Sequence, residues 1–188
     1  MKQHYTKKQV EELLSHMRIV CQTNEQVNGH ILRWFDEHDI RYVQRSLRDG
    51  DYSFMIKSCP ELGFPLDTYF TDELFIERKN SLQELAQSLY GQKKTRSNGK
   101  TEYDDAFLRE LKRAINKPHK YLLVEQPDGW DGILNHAYPN HYDEKAFWGA
   151  LHKIETVYGL RVKFIDRKSM ALEIYTICKC ILELYIDK

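Results

Sequence analysis

Apolar residues along this chain come in short clusters whose spacing alternates between the period of a strand and the period of a helix. Met17-Arg18-Ile19-Val20-Cys21 is an apolar run suited to a buried strand. Val27, Ile31, Leu32 and Phe35 follow at helical spacing, with Asn24 or Asn28 placed to cap the helix start. Residues 40–43 read as a second strand, and residues 50–56 as a third that is entered through a glycine turn. The stretch 58–65 carries two prolines and a glycine and reads as a loop between strands, before a further strand at 74–79. Leu82, Leu85 and Leu89 behind Ser81 predict an amphipathic helix. Helices are predicted again at 104–115, 144–158 and 169–186, and strands at 120–125 and 161–165. Strands alternating with helices, some strands being adjacent, predict an α/β fold with a mixed sheet and helices on both sides. The charged opening, 1–16, reads as a short helix or a frayed arm, and 17–188 as one domain. The stretch 91–103 is polar and basic, with Lys93, Lys94, Arg96 and Lys100, and reads as a mobile loop.

Composition narrows the class. With 188 residues, 41% hydrophobic and 30% charged, the chain can bury a core without metal clips or disulfides. The four cysteines form no CxxC framework and read as reduced thiols. No apolar run approaches the ~20 residues that span a bilayer, and MKQHYTKKQVEELL lacks the apolar core of a signal peptide. Cytoplasmic residence is therefore expected. Lys+Arg 28 balance Asp+Glu 28, so a polyanion would have to be held by a local basic patch rather than by the net charge.

Candidate chemistry centres on residues 77–79. Side chains alternate across a strand, so Glu77 and Lys79 project from one face while Ile76 and Arg78 project from the other. If the strands at 50–56 and 74–79 pair as a hairpin around the proline-rich loop, Asp51 and Glu77 can converge on one divalent cation. Mg²⁺ accepts such a site, a few carboxylates completed by water and phosphate oxygens. Lys79 would then steady the attacking water or the charge developing on a phosphate. An acid followed by Glu-x-Lys on a neighbouring strand is the PD-(D/E)xK pattern of nucleases.

The flanks extend that pattern. Ile19-Val20-Cys21-Gln22-Thr23-Asn24-Glu25, His30-Ile31 opening a helix, Leu47-x-x-Gly50-Asp51-Tyr52, Ile76-Glu77-Arg78-Lys79 and then Leu85 together resemble the nuclease domain of the XPF family, whose motif is GD…ERKxxxD. The chain is similar above all to short bacteriophage members, from about Met17 to its C-terminus. The resemblance implies a restriction-endonuclease-like fold, a mixed central sheet flanked by helices. It implies metal binding by Asp51 and Glu77 and catalysis by Lys79. Arg78 is implied to support the site or a phosphate, and Glu25 matches the glutamate of the family's early segment. Gln22 departs from the pattern, standing where the family has an early Asp. Gln83 stands where ERKxxxD expects its Asp, with Glu84 adjacent.

The implied function is a Mg²⁺- or Mn²⁺-dependent DNA endonuclease. It would act at flaps, junctions or single-strand/duplex boundaries in phage recombination, replication or repair, in the cytoplasm of a host cell. DNA is the expected partner, with a homodimer mate or another recombination or replication protein beside it. A second reading, motivated by Gln22 and Gln83, is a catalytically degenerate nuclease fold serving as a DNA- or protein-binding module or an inhibitor. Lys93, Lys94, Arg96 and Lys100 are candidate phosphate contacts or a solvated loop. Trp130, Tyr138 and Tyr142 can stack on unpaired bases or simply pack. His136 and His141 read as surface or hydrogen-bonded histidines rather than zinc ligands. Glu125, at a strand end, can touch the site or cap a loop, and reads first as the loop cap.

Overall fold

Thr6 starts the first helix with a reciprocal cap: its hydroxyl accepts from the Gln9 amide, and the Gln9 side chain accepts from the Thr6 amide. The computed structural model that shows this describes residues 5–90, 92–95, 101–104 and 106–187, with backbone alone at 92–95 and 101–104. The chain forms two units. One comprises the residues up to Ile76 together with those from Lys168 onward, and the other comprises Glu77–Arg167.

In the first unit, α1 (Lys7–His16) buries Leu13 and leads directly into β1 (Met17–Cys21). Ile31 and Phe35, one helical turn apart, are the buried residues of α2 (Gly29–Glu37), which crosses over to β2 (Tyr42–Gln44). Parallel pairing of β1 with β2 requires such a crossover. β3 (Tyr52–Ile56) runs antiparallel to β1, with Ile19 opposite Phe54. All five residues of β3, Ser53 among them, are buried, which marks a strand covered on both faces. A 3-10 turn at Pro60–Leu62 and the short β4 (Thr68–Tyr69), paired with β3, fill the proline-rich connection. β5 (Leu74–Lys79) pairs antiparallel with β3, Tyr52 lying opposite Ile76.

Gly50 makes that pairing possible. Its φ is +82°, and a Cβ there would meet the Ile76 carbonyl oxygen at 2.9 Å. With no side chain in the way, the Asp51 amide donates to the same carbonyl at 2.7 Å.

The second unit begins inside β5. Its first helix, α3 (Leu82–Tyr90), starts where the Glu84 amide donates to the Ser81 hydroxyl, the capping expected from the sequence. The basic stretch 91–103, expected as a mobile loop, contains two strands. Residues 91–103 do not read as strands, because Gln92–Thr95 carries two lysines and no apolar residue. Yet β6 (Gln92–Thr95) and β7 (Thr101–Asp104) pair as an antiparallel ribbon, with Lys94 opposite Glu102 in register. α4 (Ala106–Arg113) buries Phe107 and Leu111, and β8 (His119–Glu125) follows. α5 (Gly129–Leu134) was not anticipated; α6 (Glu144–Tyr158), capped by Asp143, covers the expected stretch. The α5–α6 segment is the crossover to β9 (Arg161–Ile165), which is parallel to β8.

The chain then returns to the first unit as α7 (Met170–Ile186), whose buried stripe includes Ile174, Cys178, Ile181 and Leu182. Tyr185 of α7 meets the Phe70 ring edge to face, and Phe70 stacks on Phe54 at 4.3 Å. A fully buried Phe54 or Ile31 contributes about 2–3 kcal/mol. The architecture is the expected mixed α/β one: the hydrogen-bonded order is β2-β1-β3-β5 in the first unit and β5-β8-β9 in the second, with parallel and antiparallel pairs combined and helices packed on strands. No helix among the described residues is long and apolar enough to cross a membrane.

Candidate active site

Strand β5 ends in three consecutive charged residues that are all buried: Glu77, Arg78 and Lys79 are 6%, 3% and 8% exposed. Burying charge is costly unless each group is paired, so the partners define the site. Glu77 and Lys79 share a face, as the strand period predicts, and the Lys79 ammonium donates to Glu77 Oε1 at 2.5 Å. The same Nζ lies 3.8 Å from Glu84 Oε1 and 5.3 Å from the centre of the Phe107 ring. The other Glu84 oxygen accepts from the Asn80 amide at 2.9 Å, which fixes the first turn of α3 onto the end of β5. These groups line a cleft of about 350 Å³, to which Gln87, Phe107 and Glu110 also contribute. A lysine held among carboxylates at a water-accessible cleft can orient a water molecule and neutralise developing negative charge, while the carboxylates offer hard oxygen donors.

Arg78 faces away from this cleft's Glu77–Lys79 pair. Its NH1 donates to Glu125 Oε1 at 2.7 Å, both side chains being 2% exposed. Glu125 Oε2 lies 3.4 Å from Arg167 NH1. Of the two readings of Glu125, the loop cap gives way to contact with a motif residue: it is the buried counter-ion of Arg78. Strand spacing within one segment says nothing about which segments become neighbours, so this pair was not legible.

In the first unit, half-buried Asp51 opens the approach to β3, its amide on Ile76 and its carbonyl accepting from the Gln22 amide at 2.8 Å. Asp49, which the sequence reading passed over, is buried two residues earlier with Arg48 Nε 3.9 Å from its carboxylate. Gln22, expected at the position of the family's early Asp, has its side chain engaged with backbone. Its Nε2 donates to the Leu47 carbonyl at 2.9 Å, and its Oε1 accepts from the Leu47 amide at 3.2 Å and the Thr23 amide at 2.9 Å. Glu25 sits in the turn between β1 and α2, its amide on the Gln22 carbonyl at 3.2 Å. Burial, and secondarily the Glu25 charge, push the Cys21 thiol up to about 12.

The remaining candidates separate cleanly. Lys93 and Lys94 lie on β6, while Arg96 and Lys100 lie outside the described residues. His136 is hydrogen-bonded to Glu144 and the Asn140 carbonyl. Tyr138 is buried with its hydroxyl on the Tyr142 carbonyl, Tyr142 stacks on Phe147, and Trp130 packs among Trp148, His152 and Phe164. For these aromatic residues the packing alternative holds. Among the described residues, no three His, Cys, Asp or Glu side chains cluster to hold a metal ion. That leaves no preassembled protein cage of the zinc kind, but a hydrated Mg²⁺ needs only one or two carboxylates besides water and substrate oxygens. The Glu77 carboxylate at the cleft has the hard oxygen chemistry that such an ion takes.

A mixed α/β fold whose strand end presents an acid and a lysine over a polar cleft defines a class, and the comparisons give its family. The family model for the ERCC4 domain matches residues 21–178, so the chain belongs to the ERCC4-domain family, that of the XPF-type nucleases. No curated protein matches the sequence. Among solved structures, XPF from Aeropyrum pernix is similar over 90% of this chain and 67% of its own, with TM-score 0.58 and 19% identity. XPF from Aeropyrum pernix in complex with DNA is similar over 89% of this chain and 66% of its own, with TM-score 0.56 and 19% identity. At that identity the likeness shows the fold.

Proposed function

We propose that this chain is a divalent-metal-dependent DNA endonuclease that cuts at flaps, junctions or single-strand/duplex boundaries. The single observation that carries the reading is the buried Glu77–Lys79 pair at a cleft, set in an ERCC4-family chain. The solved relative bound to DNA supports DNA as the partner. Recombination, replication or repair of phage DNA in a host cytoplasm, with a homodimer mate or a further protein, is the proposed setting.

Asp51 and Glu77 are the carboxylates that would hold Mg²⁺ or Mn²⁺. The Asp51 amide bonds the carbonyl of Ile76, the residue covalently preceding Glu77, which supports the assignment. Bound there, the ion would supply positive charge to the scissile phosphate and acidity to a water. The chain's own residues do the rest. Glu77 holds the Lys79 ammonium in a fixed direction, and Glu84 limits its swing on the other side. Lys79 is then poised to orient the attacking water and to balance charge as it accumulates on the phosphate oxygens. The Phe107 ring shields one side of that ammonium from bulk water, which strengthens its field in the cleft.

The test is a cleavage panel over single strands, duplexes, flaps and junctions with Mg²⁺, Mn²⁺ or EDTA. Cutting is expected with either metal and none with EDTA. Glu77→Gln, Asp51→Asn and Lys79→Met are expected to abolish it while leaving circular dichroism unchanged. Full activity in any of the three removes that residue from the site.

One observation favours a second reading, the degenerate module that binds DNA or protein. Gln22 is committed to bracing Leu47, so the early acid of the family has no substitute at that position. Tight DNA binding with no cleavage under either metal would select it.

A further inference from the structure

We infer that Glu125 is a positioning residue of the candidate active site, acting through Arg78 on the strand end that carries Glu77 and Lys79; the inference rests on the nuclease reading. Arg78 lies between those two residues in β5, so any rotation of its backbone rotates both of them. Its guanidinium cannot shed its charge at 2% side-chain exposure, and the Glu125 carboxylate 2.7 Å away neutralises it. Glu125 is the last residue of β8 and is itself 2% exposed. It does not line the cleft, which fits an action through Arg78 rather than a direct contact with substrate.

Stability alone does not account for this pair. A buried Arg–Glu pair is commonly no more stabilising than an apolar pair of the same volume, and β5 is otherwise apolar, Leu74-Phe75-Ile76, up to the motif. What the ion pair adds is direction. Two hydrophobic side chains slide past one another at little cost, whereas a guanidinium and a carboxylate in hydrogen-bond contact fix distance and orientation together. The second Glu125 oxygen faces Arg167, which is 57% exposed. Arg78 is the second residue of the second unit and Arg167 its last. One carboxylate thus restrains the chain close to where it enters that unit and where it leaves.

The experiment uses the full chain with two readouts, steady-state cleavage and amide hydrogen exchange. Glu125→Gln is expected to lower kcat by about 10–100-fold, because a displacement near 1 Å at reacting groups costs that much. KM should stay within about twofold, since Glu125 does not line the cleft. Exchange should accelerate at residues 77–80 and 124–126 while β1 and β3 keep their protection. Where Glu125→Gln does not fold, the paired apolar replacement Arg78→Met with Glu125→Leu should fold, cut slowly and show the same local exchange. Glu125→Asp, which retains the charge, should recover part of kcat. Parent-like kcat in the apolar pair, or a slowing of cleavage with exchange unchanged at residues 77–80, overturns the inference. A parent chain that cuts no DNA overturns the nuclease reading instead, and the exchange arm then decides by itself whether Glu125 holds the strand end.

Discussion

The side-chain amide of Gln22 brackets the backbone of Leu47, donating to its carbonyl at 2.9 Å and accepting from its amide at 3.2 Å. A primary amide is the group that can satisfy a peptide unit in both directions at once, since it carries a donor and an acceptor side by side. Gln22 therefore holds the segment that runs from Leu47 through Asp49 and Gly50 to Asp51. The residue reads in the sequence as a replaced metal acid; in the structure it braces the loop that runs to Asp51.

Gln22→Asp is accordingly expected to lose function rather than gain it. The shorter carboxylate removes the donor to the Leu47 carbonyl and places negative charge beside that oxygen. Leaving a buried acceptor unsatisfied costs about 1–3 kcal/mol. Urea denaturation should show a lower midpoint with an unchanged slope, and Mg²⁺-dependent cleavage should not rise. Cleavage above the parent would mean that the loop re-forms without the brace and that a carboxylate at this position does reach the cation.

Much of the scaffold was legible because burial writes itself into single segments. β1, β3 and the first half of β5 are short, mostly apolar runs, and α7 carries its stripe at helical spacing. The period-2 rule also placed Glu77 and Lys79 on one face. What escaped lacked a local signal. Two of the six residues of α5 are glycine, β4 is two residues long, and the β6–β7 ribbon has no apolar alternation. The partners of the site residues escaped for another reason: Leu47 is 25 positions from Gln22 and Glu125 is 47 from Arg78. Spacing inside one segment cannot report such pairs.

Basic residues on and beyond β6 should supply affinity without sequence preference. Replacing Lys93, Lys94, Arg96 and Lys100 together with alanine is expected to weaken binding to all DNA sequences alike. Each lost phosphate contact lowers the slope of log K against log salt by about 0.7–0.9. Fluorescence anisotropy at several salt concentrations measures it. An unchanged slope would assign the grip elsewhere, to Arg109, Lys112 and Arg113 of α4 first.

The cysteines give a pH signature. Burial raises the thiols of Cys21, to about 12, and of Cys59 and Cys178, whereas Cys180 is exposed. A native thiol with a raised pKa holds its proton where the unfolded one has lost it. Its stabilising contribution is therefore complete below the unfolded value of 9.0 and is lost as pH climbs from there towards 12. The urea midpoint should fall steadily above pH 9. At pH 8 an aromatic disulfide reagent should modify Cys180 quickly and the other three only after urea is added. Rapid modification of Cys21 in the native chain would contradict its burial.

Glu84, rather than the neighbouring Gln83, completes the acid arrangement around Lys79. Gln83 is exposed on the outer side of α3. Glu84 turns inward to the cleft, one oxygen 3.8 Å from the Lys79 ammonium and the other on the Asn80 amide at 2.9 Å. An acid one position later than the family motif thus meets the lysine, because the first turn of α3, started by Ser81, rotates position 84 towards β5. Gln83→Asp should therefore leave cleavage unchanged. Glu84→Gln keeps an acceptor for Asn80 but removes the charge that flanks Lys79, and kcat should fall about 3–10-fold, the range expected when a partly exposed charge pair that orients a reacting group is lost. Glu84→Ala also removes the tie to Asn80, so a larger fall is expected, with about 1 kcal/mol lost from the start of α3. Parallel kcat and KM measurements on the three variants separate these outcomes. A gain from Gln83→Asp with no loss from Glu84→Gln would return the acid's role to position 83.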